Sequence, residues 1–511
     1  MAAKTEKHSL VVMLCTMASR LLGIVKARVI ATAFGSGAVG DVVNFTYNIP
    51  NNFRKLFAEG AMSSSFIPEF SKEIGEGRRD DASTLMDLLF TWQLVLFLVL
   101  DLLSLRFGGL LISFFSDFSS EQVALGARLL PFFMVFLTAI SLGTIFSGML
   151  QVHGQFFASS FAPLIFSATT IAGILLFHGK LGPMSMAYSV MLGGILQMGF
   201  WYLWLRHLGY RLRLRLRFHG DAFPTVIRHW LAVLCSSLLQ VAGQQVSYTL
   251  ASHLEQGSVT AFSNATIFWQ TPYGIFFTAI STVYFPLMSQ SYARHDQQLL
   301  ARQVGTGLEY LATLLVPSTI LLYCFSDSAV SSVLQSGAFT LQASLQTAFV
   351  VRVFSLGMVA VAWYGFLQRF CYSTGRYRAA LALSVLQTVL DIAISVCGIR
   401  FGLGILALPL ANGLSFLCSL LAVLWVMRDI YQIHHDLRLW KALAKVVAAN
   451  IPVLAYCLFF RNLHLTYWQD GSSLRSFLTT CLYGMAGVAV VLASYILFRI
   501  PFMASFRRRK S

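Results

Sequence analysis

The sequence predicts an all-α, polytopic membrane protein with about fourteen transmembrane helices. Of its 511 residues, 57% are hydrophobic and only 11% are charged, and the mean hydropathy is +0.69. Apolar runs long enough to cross a hydrocarbon core of about 30 Å recur along the chain. These runs must form helices, because lipid offers backbone groups no hydrogen-bond partner and the alternating pattern of a β-barrel is absent.

Fourteen spans of roughly 20 residues can be placed along the chain. They cover residues 9–34, 42–61, 85–115, 123–150, 157–177, 184–205, 227–250, 259–289, 304–325, 345–370, 377–399, 403–426, 443–460 and 477–497. Six spans precede the stretch RLRLRLR and six follow it, so we expect two six-helix lobes around a central cavity, plus two C-terminal helices. The predicted domains are an N-lobe (1–207), a basic cytoplasmic linker (208–223), a C-lobe (224–428) and the C-terminal helices with a basic tail (429–511).

Loops rich in basic residues alternate along the chain with loops that have few. This is expected for a multi-pass protein, because its cytoplasmic loops are enriched in Lys and Arg. Loops such as KEIGEGRRD, RLRLRLRF and MRDIYQIHHDLRLWK alternate with the base-poor GSGAVG, SDFSSEQ and EQG. An even number of spans with both termini in the cytoplasm follows. The net charge of +16 is spread over these loops, so we predict no nucleic-acid partner. The RLRLRLR stretch is either a topology anchor or a contact for anionic membrane lipids.

The polar residues give little support for an enzyme or a metal site. Eight cysteines are scattered through apolar stretches without a CxxC pair, which favours neither a metal centre nor a disulfide framework. The densest group of candidate catalytic residues, His434, His435 and Asp436, lies in a basic loop, where a solvated surface is the simpler interpretation. We therefore predict no catalytic residue.

Charges are concentrated in the first two spans, where each charge at mid-membrane costs about 2.5 to 3.5 kcal/mol and usually faces a wet cavity or a partner. They are Arg20, Lys26, Arg28, Asp41, Arg54, Lys55 and Glu59. A cationic cluster suits a substrate bearing phosphate, which Arg contacts with two donors and Lys with a point charge. Snorkelling or pairing near helix ends is an equal alternative for the four residues Arg28, Asp41, Lys55 and Glu59.

These two spans also resemble a known family. The stretches ASRLLGIVKARVIATAFGSGAVGD and NIPNNFRKLFAEGAMSSSFIPEFS, together with LQSGAFT further on, are similar to the signatures of the MurJ (MviN) lipid II flippases. The resemblance covers essentially the whole chain. It implies membership of the multidrug/oligosaccharidyl-lipid/polysaccharide exporter superfamily. It also implies flipping of lipid II, a lipid-linked peptidoglycan precursor, to the outer leaflet of the bacterial inner membrane by alternating access.

The resemblance assigns substrate-binding roles residue by residue. They fall on Arg20, Lys26, Asp41, Arg54 and Glu59, and the position of Lys26 is usually arginine in the family.

The chain departs from the family pattern in the eighth span, where Ile267 stands near the place of a cavity arginine. Arg352 and Arg369 in the tenth span are candidates for the missing cation, with a structural ion-pair role as the alternative. In the eleventh span, Gln387 and Asp391 share a helix face and form a candidate site for a coupling ion, sodium or proton, although the seventh span offers no partner acid.

The implied partner is lipid II, an undecaprenyl-pyrophosphate-linked disaccharide-peptide, with membrane lipids around the protein and the cell-wall synthesis machinery as a further candidate. Three alternatives stay open: an exporter of another polyprenyl-linked glycan, a drug exporter, and a scaffold protein with impaired transport. A drug-cation exporter would need acidic residues in its N-lobe cavity, where this chain has mainly Arg and Lys.

The topology is testable by cysteine labelling. Single cysteines at Gly471 and Arg213, in a cysteine-free background, should be labelled by an impermeant reagent in intact cells only at position 471. Labelling at 213 but not at 471 would show the opposite orientation.

Overall fold

The computed structural model describes residues 2–54, 62–215, 222–461 and 474–502. Within these ranges no strand occurs, which agrees with the predicted all-α class. The α-helices are α1 (Ala2–Phe34), α2 (Ala38–Arg54), α3 (Met62–Gly75), α4 (Arg79–Phe115), α5 (Ser120–Val152), α6 (Phe156–Leu181), α7 (Met184–His207), α8 (Ala222–Ser252), α9 (Ser258–Ala293), α10 (Gln297–Cys324), α11 (Ser326–Leu334), α12 (Leu341–Ser373), α13 (Tyr377–Arg400), α14 (Ala407–Val426), α15 (Leu437–Phe460) and α16 (Leu474–Leu497).

Within the described residues, each of the fourteen predicted spans lies on one of these helices, apart from residue 325 and residues 403–406 at the span ends. Nine helices in the described ranges are long and apolar enough to cross a membrane: α4, α5, α6, α10, α12, α13, α14, α15 and α16. The second span was predicted to reach residue 61, whereas α2 is described as far as Arg54 and residues 55–61 lie outside the description. The short helices α3 and α11 were not predicted, because 14 and 9 residues are too few for a membrane span.

Side-chain caps fix the starts of several helices. At α5 the N–H of Gln122 donates to the hydroxyl of Ser119, and the N–H of Ser119 donates to the Gln122 side chain at 3.0 Å. Asp296, Thr340 and Asp436 accept backbone N–H groups at the starts of α10, α12 and α15. These acceptors satisfy donors that the first helical turn leaves unpaired, which explains where these helices begin.

The chain divides into two compact units, Met1–Val259 and Thr260–Ser511. In the first unit, α5 packs against α2, α4 and α7, and α6 packs against α1 and α7. In the second unit, α12 packs against α10, α11 and α14, and α15 packs against α10 and α16. Helix α8, which the predicted boundaries place in the C-lobe, packs against α2, α3 and α4 and lies in the first compact unit. The lobe boundaries themselves stay a prediction.

Helix α4 shows how the first unit meets lipid. Its side chains Leu102, Leu105, Leu110 and Phe114 are 64 to 78% exposed, while Phe97 on another face of the helix is fully buried. So many exposed large apolar side chains would be unfavourable in water. On the surface of a membrane-spanning helix they are what the hydrocarbon requires.

The basic segment that follows α7 lies extended along α4. The N–H of Arg213 donates to the Asp87 carboxylate at 3.0 Å, and the N–H of Arg215 donates to the Thr91 hydroxyl at 3.0 Å. The Arg215 guanidinium also lies 3.3 Å from the carboxylate of Asp87, a residue that is almost fully buried. The described part of the predicted linker is thus fixed to the first unit.

Tyr210 anchors the start of this segment. Its hydroxyl lies 2.8 Å from Nε2 of His153, and the Arg79 guanidinium stands 4.8 Å from the centre of its ring. Burial lowers the pKa of His153 and the Arg79 charge lowers it further, whereas burial raises the pKa of Tyr210. Both shifts favour the neutral pair that the hydrogen bond needs.

The contact between α5 and α7 depends on Gly143. A methyl group at Gly143 would lie 2.7 to 2.8 Å from ring atoms of Trp201, a buried residue whose indole N–H donates to the Ala158 carbonyl at 3.2 Å. We expect Gly143→Ala to destabilise the protein by about 1–3 kcal/mol through overpacking. Thermal unfolding of the purified protein in detergent measures this effect. Gly199→Ala on α7 is the matched control, because its methyl group meets no atom within 4 Å. Equal unfolding temperatures of the two variants would contradict the packing assignment.

Candidate functional site

The predicted substrate-binding residues that the structure describes all lie in the first compact unit. Arg20 and Lys26 lie on α1, and Asp41 and Arg54 lie at the two ends of α2. Glu59 falls within residues 55–61, outside the described part of the chain. Its assignment therefore stays a prediction.

Lys26 is held by aromatic rings. Its ammonium nitrogen lies 4.7 Å from the ring centre of Phe166 on α6 and 5.7 Å from that of Tyr47 on α2. Phe166 stacks in turn on Phe136 at 4.9 Å, and Tyr47 meets Phe133 edge to face at 5.5 Å. Such cation–π contacts contribute about 0.5 to 2 kcal/mol each, depending on desolvation. They stabilise the ammonium group without neutralising its charge, and no ion pair of Lys26 is found among the described residues.

Arg20 occupies a different side of α1. It lies six residues before Lys26, which places the two about 9 Å apart along the axis and about 120° apart around it. Arg20 is exposed together with Met17 and Leu21, whereas Lys26 is half-buried. The two cations therefore lie on different sides of one continuous helix, as their spacing predicts.

Asp41 has a structural partner. Its buried carboxylate accepts the N–H of Gly257 at 2.6 Å, in the turn that follows α8. Gly257 has a φ of +94°, a conformation that favours glycine, and its carbonyl accepts from the hydroxyl of Ser36 at 3.4 Å. The start of α2 is thus joined to a turn more than two hundred residues later in the sequence. A direct role of Asp41 in substrate binding stays a prediction.

Arg54 closes the described part of α2 beside a row of asparagines. Its Nε donates to Asn51 at 3.3 Å. Asn44, Asn48 and Asn52 follow at four-residue spacing on one face of the helix, and the first two donate to the backbone carbonyls four residues earlier. Asn52 is buried, and neither polar atom of its side chain has a hydrogen-bond partner in the described structure. This polar face was not predicted, although the spacing N-x3-N-x3-N is present in the sequence.

The two candidate cations of the second unit differ in their partners. Arg352 forms an ion pair with Asp327 on α11 and donates to the hydroxyl of Ser326 at 2.9 Å. Arg369 instead stands 4.9 Å from the ring centre of Phe277 on α9, next to Tyr273, and no ion pair of Arg369 occurs in the described residues. Arg352 is therefore neutralised, while the charge of Arg369 is not.

Gln387 and Asp391 lie together on α13. Both are buried, the Gln387 amide donates to the hydroxyl of Ser415 on α14 at 3.4 Å, and Asp391 also bonds to Ser415. The three side chains offer oxygen atoms of the kind that hard cations prefer. In the described residues no cluster of three His, Cys, Asp or Glu side chains is present, so a metal set of that kind is not found there. The ion site stays a prediction.

Comparison with known proteins identifies the family. A family model described as "Lipid II flippase MurJ" matches residues 30–479. The chain belongs to the MurJ family of lipid II flippases. It is 29% identical over 501 residues to a "Probable lipid II flippase MurJ" of Borreliella burgdorferi, a match that covers 98% of each chain. The resemblance inferred from the sequence motifs is confirmed.

Solved structures show the same fold. A structure titled "Lipid II flippase MurJ, inward closed conformation" matches with a TM-score of 0.77 and 21% identity, covering 97% of this chain and 99% of that one. An inward-facing multidrug resistance MATE transporter of the MOP superfamily matches with a TM-score of 0.71 and 14% identity, covering 85% of this chain and 99% of that one. At these identities the likeness shows the fold alone.

The role of Asp41 can be separated from substrate binding. Asp41→Ala leaves the buried N–H of Gly257 without an acceptor and should destabilise the protein by about 1–3 kcal/mol, whereas Asp41→Asn retains an acceptor oxygen and should cost less. Thermal unfolding in detergent measures both. Ser36→Ala is the control, because it removes only the 3.4 Å bond to the same glycine. Unchanged stability in all three variants, with lost lipid II binding in both Asp41 variants, would instead assign the carboxylate to the substrate.

Proposed function

We propose that this protein flips lipid II from the cytoplasmic to the outer leaflet of the bacterial inner membrane by alternating access. The observation that carries the proposal is the family match over residues 30–479, which spans most of the chain. The matched structures, titled inward closed and inward-facing, support a transporter that changes its accessibility to the two sides. The protein leaves its substrate chemically unaltered in this proposal.

The intramembrane cations give the proposal its physical basis. The headgroup of lipid II carries a pyrophosphate and many polar groups, and each polar group costs several kcal/mol when it enters an apolar medium without a partner. Lys26 keeps its charge because aromatic rings, and no described carboxylate, hold it. Arg20 is exposed on the same helix. Each can supply charge-assisted hydrogen bonds to oxygen atoms of the headgroup, in place of water, from its own side of α1.

Arg369 is the better candidate for the cation that the eighth span lacks. It contacts α9, the helix that carries Ile267, through Phe277. Arg352, on the same helix α12, is already paired with Asp327. We therefore assign the role of an additional substrate-binding cation to Arg369, within the second unit, and a structural role to Arg352.

Several finer features belong to the same proposal. Both termini lie in the cytoplasm, on the strength of the alternating basic loops. A coupling ion, sodium or proton, biases the two conformations, and Gln387 with Asp391 is the candidate site for sodium. Contact with the cell-wall synthesis machinery is a further expectation that rests on the family alone.

Complementation tests the function. In a bacterium depleted of its own flippase, this chain should restore growth and restore cleavage of lipid II by a toxin that acts only outside the inner membrane. Arg20→Ala, Lys26→Ala and Arg54→Ala should lower cleavage by at least about tenfold, equivalent to 1.4 kcal/mol of binding, at normal protein levels. Lys26→Arg should retain most activity, since a charge remains in the aromatic cradle.

Matched arginine variants sharpen the test. Arg369→Gln should impair cleavage, Arg352→Gln should act mainly on stability, and Arg106→Gln on the exposed side of α4 should change neither. No cleavage with the unaltered chain, despite normal membrane insertion, would reject the proposed function. Full activity of all three alanine variants would retain the function and reject the site.

A further inference from the structure

Asp101 is an acidic residue deep within a membrane span. It lies on α4 inside the apolar run LVLFLVLDLLSLRF, and the nearest charged residues along the helix are Asp87 and Arg106. Phe97 and Ser104, one helical turn to either side, are buried, whereas Leu102 is 64% exposed. Asp101 therefore belongs to the face of α4 that packs in the protein rather than to the face that meets lipid.

The carboxyl group of Asp101 contacts one side chain of α5. Its Oδ2 lies 2.9 Å from the hydroxyl oxygen of Thr138, and that hydroxyl oxygen lies 3.2 Å from the carbonyl of Met134 on its own helix. The second carboxyl oxygen, Oδ1, is buried and has no hydrogen-bond partner among the described residues. The contact thus joins two adjacent helices through one threonine.

The two contacts of the Thr138 hydroxyl, with Asp101 and with the Met134 carbonyl, indicate the protonation state of Asp101. A threonine hydroxyl has a single proton, so it cannot donate fully to both a carboxylate and the Met134 carbonyl. If Asp101 carries a proton, its O–H donates to the Thr138 oxygen and the Thr138 O–H donates to Met134, and each contact has its own hydrogen. The protonated form also leaves Oδ1 as a neutral carbonyl oxygen, which is far less costly to bury unpaired than a charged one.

No described charge lies in position to stabilise an ionised Asp101. On α4, Arg106 is five residues away and about 140° around the helix, where its guanidinium stacks over Phe107. On α5 the charged residues are Glu121 and Arg128, and Arg128 lies ten residues from Thr138, about 15 Å along the axis.

The other helices packed against α4 carry their charges toward its beginning. On α3 the titratable residues are Glu69, Lys72 and Glu73, and Glu73 pairs with Arg78 just before α4 begins. On α8 they are Arg228, His229, Cys235 and Tyr248, of which the first three have side chains outside the description. Trp230, which follows Arg228 and His229, packs against a hydrophobic cluster whose buried α4 members run from Ala82 to Phe90. Asp101 is about 16 Å further along α4 than Phe90.

We propose that Asp101 is a proton-binding site that holds its proton while α4 packs on α5 and releases it to water when the two helices separate during transport. The release breaks the Asp101 O–H bond, leaves a carboxylate, and passes the proton to water that reaches the opened contact. An exposed carboxylate is stable only in the separated state, so proton binding and helix packing depend on each other. The second half of the proposal rests on the proposed function, because it assigns the coupling proton to this residue.

Infrared spectroscopy of the full chain in lipid nanodiscs tests the protonation state without any transport. The unaltered protein at neutral pH should show a protonated carboxyl C=O band that is absent from Asp101→Asn and unchanged in Ser104→Ala, a matched change on the same buried face. Thr138→Val keeps the carboxyl group and should retain the band at a shifted frequency, which keeps the test decisive if Asp101→Asn does not fold. Identical spectra of the unaltered protein and Asp101→Asn would overturn the proposal.

Transport in proteoliposomes tests the coupling. The rate of lipid II flipping by the unaltered protein should change several-fold with an imposed pH gradient, and Asp101→Asn should lose this dependence while Ser104→Ala retains it. An Asp101→Asn variant with the full pH response would reject the coupling. If the unaltered protein does not flip lipid II at all, the proposed function fails, and the infrared result still decides whether Asp101 holds a proton.

Discussion

The central constraint on this protein is that lipid cannot solvate a charge, so every ionisable side chain within a span needs a partner supplied by the protein or by a ligand, or must stay neutral. The structure meets this constraint in chemically different ways. Arg352 has a carboxylate, Asp41 has a backbone N–H, Lys26 and Arg369 have aromatic rings, and Asp101 has a hydroxyl. The kind of partner determines what each residue can still do.

A partner of opposite charge neutralises a residue, and an aromatic ring does not. The Arg352 ion pair fixes α11 against α12 and leaves little positive potential for a substrate. A cation–π contact orients the cation and compensates part of its lost hydration. The positive charge is not cancelled, so the cation can still attract an anion on the side that faces away from the ring. Such a cation is ready to bind an anion without first breaking an ion pair, a step that would cost binding energy. This difference separates the candidate substrate contacts from the structural charges more clearly than their positions in the sequence.

The sequence could predict the helices because hydropathy and length decide what crosses a bilayer. Within the described residues, all fourteen predicted spans lie almost entirely on helices. It could not predict α3 and α11, because neither is long enough to leave that signal. The partner of Asp41 was out of reach for another reason: Gly257 lies 216 residues away, and only folding of the first unit brings the two together. Asp101 stands out in the sequence as a lone acid in an apolar run. Its protonation could not be inferred there, because it depends on the contact with Thr138 in the next helix.

The family resemblance predicts arginine at the position of Lys26. The two rings around Lys26, those of Phe166 and Tyr47, suit an ammonium group better than a guanidinium group. An ammonium group is compact, and here it lies within cation–π range of two rings that come from different helices. A planar guanidinium stacks best on one ring and offers a fixed fork of donors. Lysine therefore presents a point charge with rotatable donors, which suits a phosphate group whose orientation is set elsewhere. Under the proposed function, the asparagine face and Arg54 on α2 provide directional polar groups of that kind. Recognition in the first unit would then divide between an undirected charge on α1 and oriented polar groups on α2.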